Sequence, residues 1–484
     1  MSKFEPIQAF AGGAAGLRLL PLTFERLDGG RFLVANVVGD IINLQQRELD
    51  RLTALDIAPG DGLYERAFEN LLVCHEGQGS QLQLLALRMR SRMAFLRAST
   101  PLHIFVVTLR CEHSCPYCQV SRRSVDRDRY DMDLPTALAG LDVALSAPSP
   151  AIKIEFQGGE PLLNFELIKS FVPIAAEAAR AKGKSLGFVI TTNLALLDDE
   201  VLAFCKEHGI LISTSLDGPQ DLHNRNRPRP GGDSHQLATA GIRRVQDYLG
   251  KDHVGALMTT TAASLNRVEE IIDEYIRLDL DGIFLRPLSP YGFAVKTKQY
   301  QRYGRSEWLS FYKRGLAHIL KINREGRHFP EFYTALLLRR LLTDRPVNFV
   351  DLRSPAGIGL GALVYNYDGK VFASDEARML AETGDNTFQL GELGKDDYRS
   401  LILSDKLVEM VGDSLTQCAP MCSSCVFESH CGADPVYHHA TQGDALGIKP
   451  LSDFCARQKG VLTHILDLLD NSPEDAAVLR RWAG

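Results

Sequence analysis

The chain has 484 residues, 45% of them hydrophobic and 24% charged, and a formal net charge of −6. This composition is typical of a folded protein with about two or three cores and excludes a largely disordered chain. The net charge is negative and no apolar run reaches the about 18 residues of a membrane-spanning helix, so we expect neither nucleic acid nor membrane as a partner. The start of the chain lacks the pattern of a signal peptide, and we expect a cytoplasmic protein.

Residues 1–97 are predicted to form a small α+β domain followed by a connecting helix. Three strand-like stretches, LRLLPLTFERL, RFLVANVV and DIINL, precede two helical ones, QQRELDRLTAL and LYERAFENLLV. The stretch LQLLALRMRSRMAFLRA then predicts the connecting helix. The domain contains no cluster of metal ligands, so its role is either binding or purely structural.

Residues 98–310 repeat a short apolar strand followed by an amphipathic helix. The predicted strands are 103–109, 152–157, 187–192, 210–216, 254–260 and 282–288. Alternating strands and helices form a parallel sheet, and these units are fewer than in a closed barrel. We therefore predict an open, partial (β/α)6 barrel with its ligand site at the C-terminal ends of the strands.

Eight of the ten cysteines fall into two groups, which in a reducing cytosol indicates metal centres rather than disulfides. Cys111, Cys115 and Cys118 form the first group, CEHSCPYC, directly after the first predicted strand. Three thiolates at this spacing suit a [4Fe–4S] cluster and leave one iron without a protein ligand. Zinc is the alternative, and it would need a fourth ligand such as His113 from the same loop.

Further candidates follow the later strands at the same predicted edge. GGEP (158–161) follows the second strand, and STSLDGP (213–219) and LHNRNRPRPGGDS (222–234) end and follow the fourth. Each also has a structural interpretation: a strand-to-helix turn, an Asp-Gly-Pro turn and a solvated basic loop. Asn193, after the third strand, is either a helix cap or a functional residue.

CEHSCPYC after the first strand and GGEP after the second resemble the motifs of the radical S-adenosylmethionine (SAM) enzymes. The resemblance implies a [4Fe–4S] cluster on Cys111, Cys115 and Cys118, whose open iron chelates the amino and carboxylate groups of SAM. An electron then splits SAM into methionine and a 5'-deoxyadenosyl radical. A donor of the flavodoxin or ferredoxin type would supply that low-potential electron.

The same resemblance assigns roles to residues around the cluster. The tyrosine of CEHSCPYC would lie against the adenine, and the GGE of GGEP would meet the amino group of SAM. The serine before Asp217 would contact the ribose, and an arginine of the basic loop would hold the carboxylate through its guanidinium. The implied SAM-binding residues are Tyr117, Gly158, Gly159, Glu160, Ser215 and Arg227.

The second cysteine group lies in CAPMCSSCVFESHCGADP, behind a predicted β-hairpin, LVYNYDGKVFAS. It resembles the SPASM domain of radical SAM enzymes that modify peptides and proteins, and a zinc knuckle is the alternative. Cys418 is left without a role. The implied ligands of one auxiliary [4Fe–4S] cluster are Cys422, Cys425, Cys431 and Cys455.

The other auxiliary cluster of the SPASM family is expected to be missing. The positions that its cysteines would occupy read Ser354-Pro355, Ser374 and Pro435. Asp375 remains beside Ser374, and the resemblance to sulfatase-maturating enzymes makes it a candidate catalytic base. The alternative is that Ser-Asp-Glu simply begins a helix.

The stretches FVVTLRCEHSCPYCQVSR, SLDGPQDLHNRNRPRPGGDS, FLRPLSPYGFAV and CGADPVYHHATQGD give the whole chain a resemblance to the B-type radical SAM maturases of the His-Xaa-Ser peptide system. This implies a ribosomally made peptide substrate with His-Xaa-Ser repeats and a second radical SAM protein as partner. It also implies that the N-terminal domain resembles the winged-helix domains that bind leader peptides, by adding a strand to a sheet edge. An anaerobic sulfatase-maturating enzyme and a non-catalytic iron–sulfur or zinc scaffold remain alternatives.

The expected organisation is an N-terminal winged-helix-like domain, a partial barrel, a helical linker, a SPASM-like domain and a C-terminal helix. Their predicted ranges are 1–97, 98–310, 311–345, 346–460 and 461–484.

Overall fold

The computed structural model describes residues 16–77, 79–123, 126–345, 347 and 349–484, so the first fifteen residues of the predicted N-terminal domain lie outside it. Among the described residues, no helix is both long enough and apolar enough to cross a membrane. The predicted domain limits at 97, 310, 345 and 460 stay predictions.

The N-terminal part contains the predicted strands and helices in the predicted order. Its strands are β1 (Leu17–Leu19), β2 (Leu22–Arg26), β3 (Arg31–Asn36), β4 (Ile41–Gln45) and β5 (Val73–His75), and its helices are α1 (Gln46–Thr53), α2 (Gly62–Glu69) and α3 (Ser80–Arg92). β2, β3 and β4 form an antiparallel sheet in that order, and β1 pairs with β5. Several contacts tie this sheet and its turns to the C-terminal part. Among them, His430 Nε2 lies 2.5 Å from the carbonyl oxygen of Gly39, Arg31 pairs with Asp467 at 3.1 Å, and Glu25 pairs with Lys459 at 2.6 Å.

The central part is a parallel α/β structure. Its strands are β6 (Leu102–Thr108), β7 (Ala151–Gly158), β8 (Ser185–Thr191), β9 (Leu211–Ser215) and β10 (Val254–Leu257), and its helices are α4 (Arg127–Tyr130), α5 (Leu134–Ser146), α6 (Phe165–Ala181), α7 (Asp199–His208), α8 (Gln220–Asn226), α9 (Ser234–Leu249) and α10 (Val268–Arg277). Each neighbouring pair of strands is parallel. β6 is buried along nearly its whole length, which explains its continuous apolar sequence.

The sixth predicted strand, 282–288, does not form in the described sheet. Ile283 makes only an isolated bridge to Glu331, although the Thr260 amide still donates to the carbonyl of Arg286 at 2.9 Å. Two amide positions of the segment cannot join the ladder: the buried Glu331 side chain accepts the Leu285 amide at 3.0 Å, and Pro287 has no amide to donate. The segment therefore runs beside the sheet without continuing its ladder.

The C-terminal part extends the central sheet on its other side. Its strands are β11 (Ala362–Tyr365), β12 (Lys370–Phe372) and β13 (Gln389–Glu392), and the remaining helices are α11 (Phe293–Lys296), α12 (Arg305–Arg324), α13 (Phe332–Leu342), α14 (Asp375–Ala381), α15 (Tyr398–Ile402), α16 (Asp405–Asp413), α17 (Pro435–Gln442), α18 (Asp453–Asn471) and α19 (Pro473–Ala483). β11 and β12 form the predicted hairpin, and β11 pairs in parallel with β6. The described sheet thus runs β10-β9-β8-β7-β6-β11-β12-β13, which joins the two parts through one ladder.

Acid is expected to destabilise this sheet because His103 in β6 is buried as a neutral ring. Its Nδ1 lies 2.8 Å from Tyr365 Oη and its Nε2 lies 3.0 Å from the Thr100 carbonyl oxygen. Burial lowers the pKa of His103 from 6.5 to about 3. Its contribution to stability is therefore present above about pH 6.5 and is lost as the pH falls, by up to about 1.4 kcal/mol per pH unit.

Urea unfolding of the metal-free chain between about pH 7 and about pH 5 measures this loss. The free energy of unfolding should fall less steeply with acid in His103→Gln than in the unmodified chain. Equal slopes in the two proteins would show that His103 is not the titrating group.

Candidate functional site

Two loops at the C-terminal ends of β6 and β7 lie against each other. The Gly159 amide donates to the Thr108 carbonyl at 2.8 Å, and the Glu160 amide donates to the Arg110 carbonyl at 2.7 Å. A Cβ atom on Gly158 would lie 2.0 Å from the Thr108 oxygen, and one on Gly159 would lie 2.1 Å from the Arg110 oxygen. Both glycines are therefore required for the backbone to pass beside the segment that leads into Cys111.

The cysteine loop that follows β6 is held from two further sides. The Ser114 amide donates to the Pro228 carbonyl, and the Phe293 amide donates to the Cys118 carbonyl, each at 2.8 Å. Burial raises the pKa of the Cys115 thiol to about 12, and burial together with Glu112 and Glu160 raises that of Cys111 as well. Without a metal these cysteines therefore prefer the protonated thiol form. A bound metal would stabilise the thiolates instead, so three half-buried thiols on one fixed loop fit a cluster.

His113 is poorly placed to complete a zinc site. Its Nδ1 and atoms of Cys111 and Glu112 lie within 4.8 Å of one another, so these residues could approach one cation. Both ring nitrogens are already hydrogen-bonded, Nδ1 to Glu112 at 3.0 Å and Nε2 to Ser234 at 2.8 Å, and the residue is 4% exposed. Binding zinc would break one of these bonds, which favours the three-cysteine interpretation.

Glu160 is fully buried and joins the cysteine loop to the end of β8. Its carboxylate accepts the Thr192 hydroxyl at 2.6 Å, the Asn193 amide at 2.8 Å and the Leu162 amide at 3.0 Å. Burial and the neighbouring Glu112 raise the pKa of Glu160 to about 8. Its contact with the SAM amino group stays a prediction.

Asn193 is not a helix cap, because its side chain donates to Glu112 at 2.7 Å and Asp198 caps α7 instead.

The structure brings together Tyr117, Arg227 and Asp217. The fully buried Asp217 accepts the Tyr117 hydroxyl at 2.5 Å and Arg227 Nε at 3.1 Å, and the Arg227 guanidinium lies 5.4 Å from the centre of the Tyr117 ring. Ser215 ends β9 two positions before Asp217. From the sequence, Asp217 was expected mainly to form a turn. In the structure, its carboxylate is the group that binds both Tyr117 and Arg227. The roles of Tyr117, Ser215 and Arg227 toward SAM stay predictions.

These residues lie within a segment that known proteins share. Residues 105–284 match the description of the radical SAM superfamily. We refer to this matched segment as the radical SAM domain. A domain of this kind implies a [4Fe–4S] cluster and SAM, which agrees with the three-cysteine loop described above.

Individual relatives match part of the chain. The chain is 30% identical over 188 residues to an uncharacterized protein of Methanocaldococcus jannaschii, across 39% of this chain and 62% of that protein. It is 24% identical over 205 residues to a serine-type anaerobic sulfatase-maturating enzyme of Klebsiella aerogenes, across 41% of this chain and 50% of that enzyme. The chain thus spans 50% to 62% of the length of these two relatives.

Solved structures share the fold over more of the chain. Native anSMEcpe with bound AdoMet has a TM-score of 0.62 and 17% identity, and the match covers 77% of this chain and 100% of that chain. Streptococcus suis SuiB bound to precursor peptide SuiA has a TM-score of 0.53 and 14% identity, and the match covers 90% of this chain and 98% of that chain. At these identities the similarity establishes the fold, and the predicted α/β radical SAM fold is confirmed.

Behind the radical SAM domain, the structure gathers the four predicted auxiliary ligands. Burial and the neighbouring thiols of Cys455 and Cys425 raise the pKa of Cys431, and burial raises that of Cys425 to about 11. The pKa of the Cys422 thiol is also raised, by burial and by the neighbouring Cys455. Four half-buried thiols in one region fit either a [4Fe–4S] cluster or zinc, whereas Cys418 is exposed.

The positions predicted to have lost an auxiliary cluster form ordinary protein structure. Ser374 accepts the Ala377 amide at 3.2 Å and caps α14, Ser354 donates to Gln417 at 2.8 Å, and Pro435 opens α17. Tyr291, only 1% exposed, belongs to the same buried apolar cluster as Ala356, Ala373 and Val436, which neighbour these positions.

Asp375 is the first residue of α14, and its carboxylate lies 3.3 Å from the buried Arg378 guanidinium. This placement agrees with the helix-start interpretation. Its role as a catalytic base stays a prediction, which Asp375→Asn would test by losing modified peptide while keeping SAM cleavage.

Replacing Ser374 with alanine should cost the chain about 1 kcal/mol of stability, the usual value of an N-cap hydrogen bond. Iron content should not change, because Ser374 caps a helix and binds no metal. Thermal unfolding and an iron assay measure the two quantities. Loss of iron in Ser374→Ala would instead show that the hydroxyl supports a cluster at this position.

A cavity of about 90 Å³ separates the C-terminal edge of the radical SAM domain from the C-terminal part. Arg286 lines it from the barrel side, and Asp351, Glu376, Asp434 and Arg457 line it from the other side. We name this cavity, with these five charged residues, the acidic cavity. It could not be predicted from the sequence, because Glu376 and Asp434 stand at helix starts, where acidic residues are common, and no local pattern links them to Asp351.

Proposed function

We propose that this chain is a radical SAM enzyme that modifies a ribosomally synthesised peptide of the His-Xaa-Ser repeat type. The observation that carries the proposal is the three-cysteine loop of the radical SAM domain, fixed at the same edge as Glu160 and the Tyr117–Asp217–Arg227 cluster. The acidic cavity lies at that edge as well and gives a substrate a place between the two parts of the chain.

In this proposal Cys111, Cys115 and Cys118 hold a [4Fe–4S] cluster, and the bound cluster and SAM supply a 5'-deoxyadenosyl radical that removes a hydrogen atom from the substrate. The residues around them act by placement. The GGE segment and the fully buried Glu160 fix the loop from one side, and Arg227 is held by Asp217 where its guanidinium can meet a carboxylate. Cys422, Cys425, Cys431 and Cys455 would hold one auxiliary cluster.

A peptide substrate is supported by the likeness to SuiB, which was solved with its precursor peptide SuiA. It is also supported by the N-terminal sheet, in which β2 is an outer strand and Phe24 is 52% exposed. An outer strand can bind an extended peptide through its main chain, so this edge is the proposed leader-binding surface. A low-potential electron donor and a second radical SAM protein complete the proposed partners.

Co-expression with candidate precursor peptides, followed by mass spectrometry, tests the substrate class. The unmodified chain should change the mass of a His-Xaa-Ser repeat peptide, and Phe24→Glu should lower the modified fraction several-fold by weakening leader binding. Leu87→Glu, at an equally exposed residue of α3, is the matched control. Conversion of a sulfatase cysteine or serine to formylglycine, with the repeat peptide left unchanged, would assign the chain to sulfatase maturation instead.

A further inference from the structure

The acidic cavity is unbalanced in charge. Its lining has three carboxylates, those of Asp351, Glu376 and Asp434, against two guanidinium groups, those of Arg286 and Arg457, and among the described residues none of the five forms an ion pair. The Arg457 guanidinium lies 5.4 Å from the centre of the Tyr437 ring, so it covers that aromatic face itself. Burial and the charge of Glu376 raise the pKa of Asp434 to about 7, and burial with Asp434 and Glu376 raises that of Asp351. Carboxylates that raise one another's pKa have too little positive charge beside them.

Two buried polar atoms on the cavity wall are also unpaired. Trp308 is 3% exposed and its Nε1 has no hydrogen-bond partner, and Gln458 is 6% exposed with its Oε1 unpaired. An unpaired buried polar group costs about 1–3 kcal/mol, so these atoms indicate that something else occupies the cavity.

The walls limit what can enter. Phe284 and Tyr333 stack at 5.4 Å between ring centres and line the cavity together with Trp308 and Tyr437. A volume of about 90 Å³ accommodates roughly six water molecules, or one compact side chain in their place. Aromatic faces and carboxylates together favour an organic cation, whose faces the rings can cover, over a divalent metal ion, which takes oxygen ligands alone.

Building on the function proposed above, we propose that the acidic cavity binds a cationic side chain of the peptide substrate. Glu376 and Asp434 accept its N–H groups, and the aromatic rings cover its faces. Because the cavity lies at the C-terminal edge of the radical SAM domain, a residue held here fixes which neighbouring residue of the peptide faces the cysteine loop. The cavity thus selects both the peptide and the position that reacts.

The test uses Glu376→Gln combined with Asp434→Asn in the full, cluster-loaded enzyme. Asparagine keeps the cap that Asp434 gives to Tyr437, so α17 should remain folded. Asp405→Asn, at an exposed acid of α16, is the matched control. The double variant should keep the iron content of the wild type, and its KM for the peptide should rise at least tenfold with a smaller change in kcat, whereas Asp405→Asn should change none of these quantities.

Replacing each cationic residue of the peptide with glutamine, one at a time, identifies the bound residue. With the wild-type enzyme, one of these replaced peptides should show a KM as high as the original peptide shows with the double variant. With the double variant, the same replacement in the peptide should not raise the KM further. An unchanged KM in the double variant, or a loss that no cation of the peptide reproduces, would overturn the proposal. Absence of 5'-deoxyadenosine in the wild type would instead reject the proposed function.

A binding measurement keeps the proposal testable without turnover. The chain has two tryptophans, and replacing Trp482 with phenylalanine leaves Trp308 alone. Because Trp308 lines the cavity, the tryptophan fluorescence of this variant reports on the cavity. Argininamide should change its fluorescence saturably, glutaminamide should not, and the double variant should lose the argininamide response. Equal responses to both probes would show that the cavity does not select a cation.

Discussion

Replacing Cys111, Cys115 and Cys118 together with alanine is expected to lower the iron content of the anaerobically reconstituted chain from about eight atoms to about four. It should also abolish SAM cleavage, since no other described cysteine group lies at the C-terminal edge beside Glu160 and Asp217. The effect should be complete because one cluster needs all three thiolates. Iron analysis, visible absorption and chromatographic detection of 5'-deoxyadenosine measure it.

Cys418→Ala is the matched control, because this exposed cysteine belongs to no proposed site, and it should retain about eight irons. About twelve irons in the unmodified chain would contradict the loss of one auxiliary cluster that Ser354, Ser374 and Pro435 indicate. About four irons with bound zinc would make the four C-terminal cysteines a zinc knuckle.

Replacing Arg227 with methionine is expected to destabilise the chain by about 3–5 kcal/mol, because it leaves the fully buried Asp217 without its cation. Adding Asp217→Asn should restore much of that stability by removing the buried charge. SAM cleavage should not return in the double variant if Arg227 also holds the SAM carboxylate. Urea unfolding and 5'-deoxyadenosine formation separate the structural effect from the binding effect.

Arg225→Met, at an exposed arginine of α8 two positions before Arg227, should leave both the stability and SAM cleavage unchanged. If the Arg227→Met and Asp217→Asn double variant cleaves SAM at the wild-type rate, Arg227 is a partner of Asp217 alone. In that case the SAM carboxylate must be bound by a different residue.

Much of this fold could be predicted because the informative patterns are local. The apolar run 103–109, the CEHSCPYC loop and the Asp368-Gly369 turn each lie within a few residues, and the structure contains the corresponding strand, loop and hairpin. The sixth strand failed for a non-local reason. Its ladder depends on Glu331, whose side chain comes from a distant part of the sequence and takes the Leu285 amide.

The same distinction applies to the candidate site. The cysteine ligands were visible from their spacing, but the pairing of Asp217 with Tyr117 joins residues 100 positions apart and leaves no local pattern. The acidic cavity is still less visible, because Asp351, Glu376 and Asp434 lie on three separate segments. Glycines 158 and 159 were recognised as special, but the structure shows their close neighbours to be backbone oxygens of the cysteine loop.

The central claim is that the chain cleaves SAM reductively and couples this to the modification of a peptide. The most direct measurement incubates the reconstituted, chemically reduced chain with SAM under anaerobic conditions, with and without a His-Xaa-Ser repeat peptide, and quantifies 5'-deoxyadenosine and peptide mass together. We predict 5'-deoxyadenosine in both samples, more of it with peptide, and a changed peptide mass. A chain that holds its iron but forms no 5'-deoxyadenosine in either sample would contradict the account and indicate a non-catalytic scaffold.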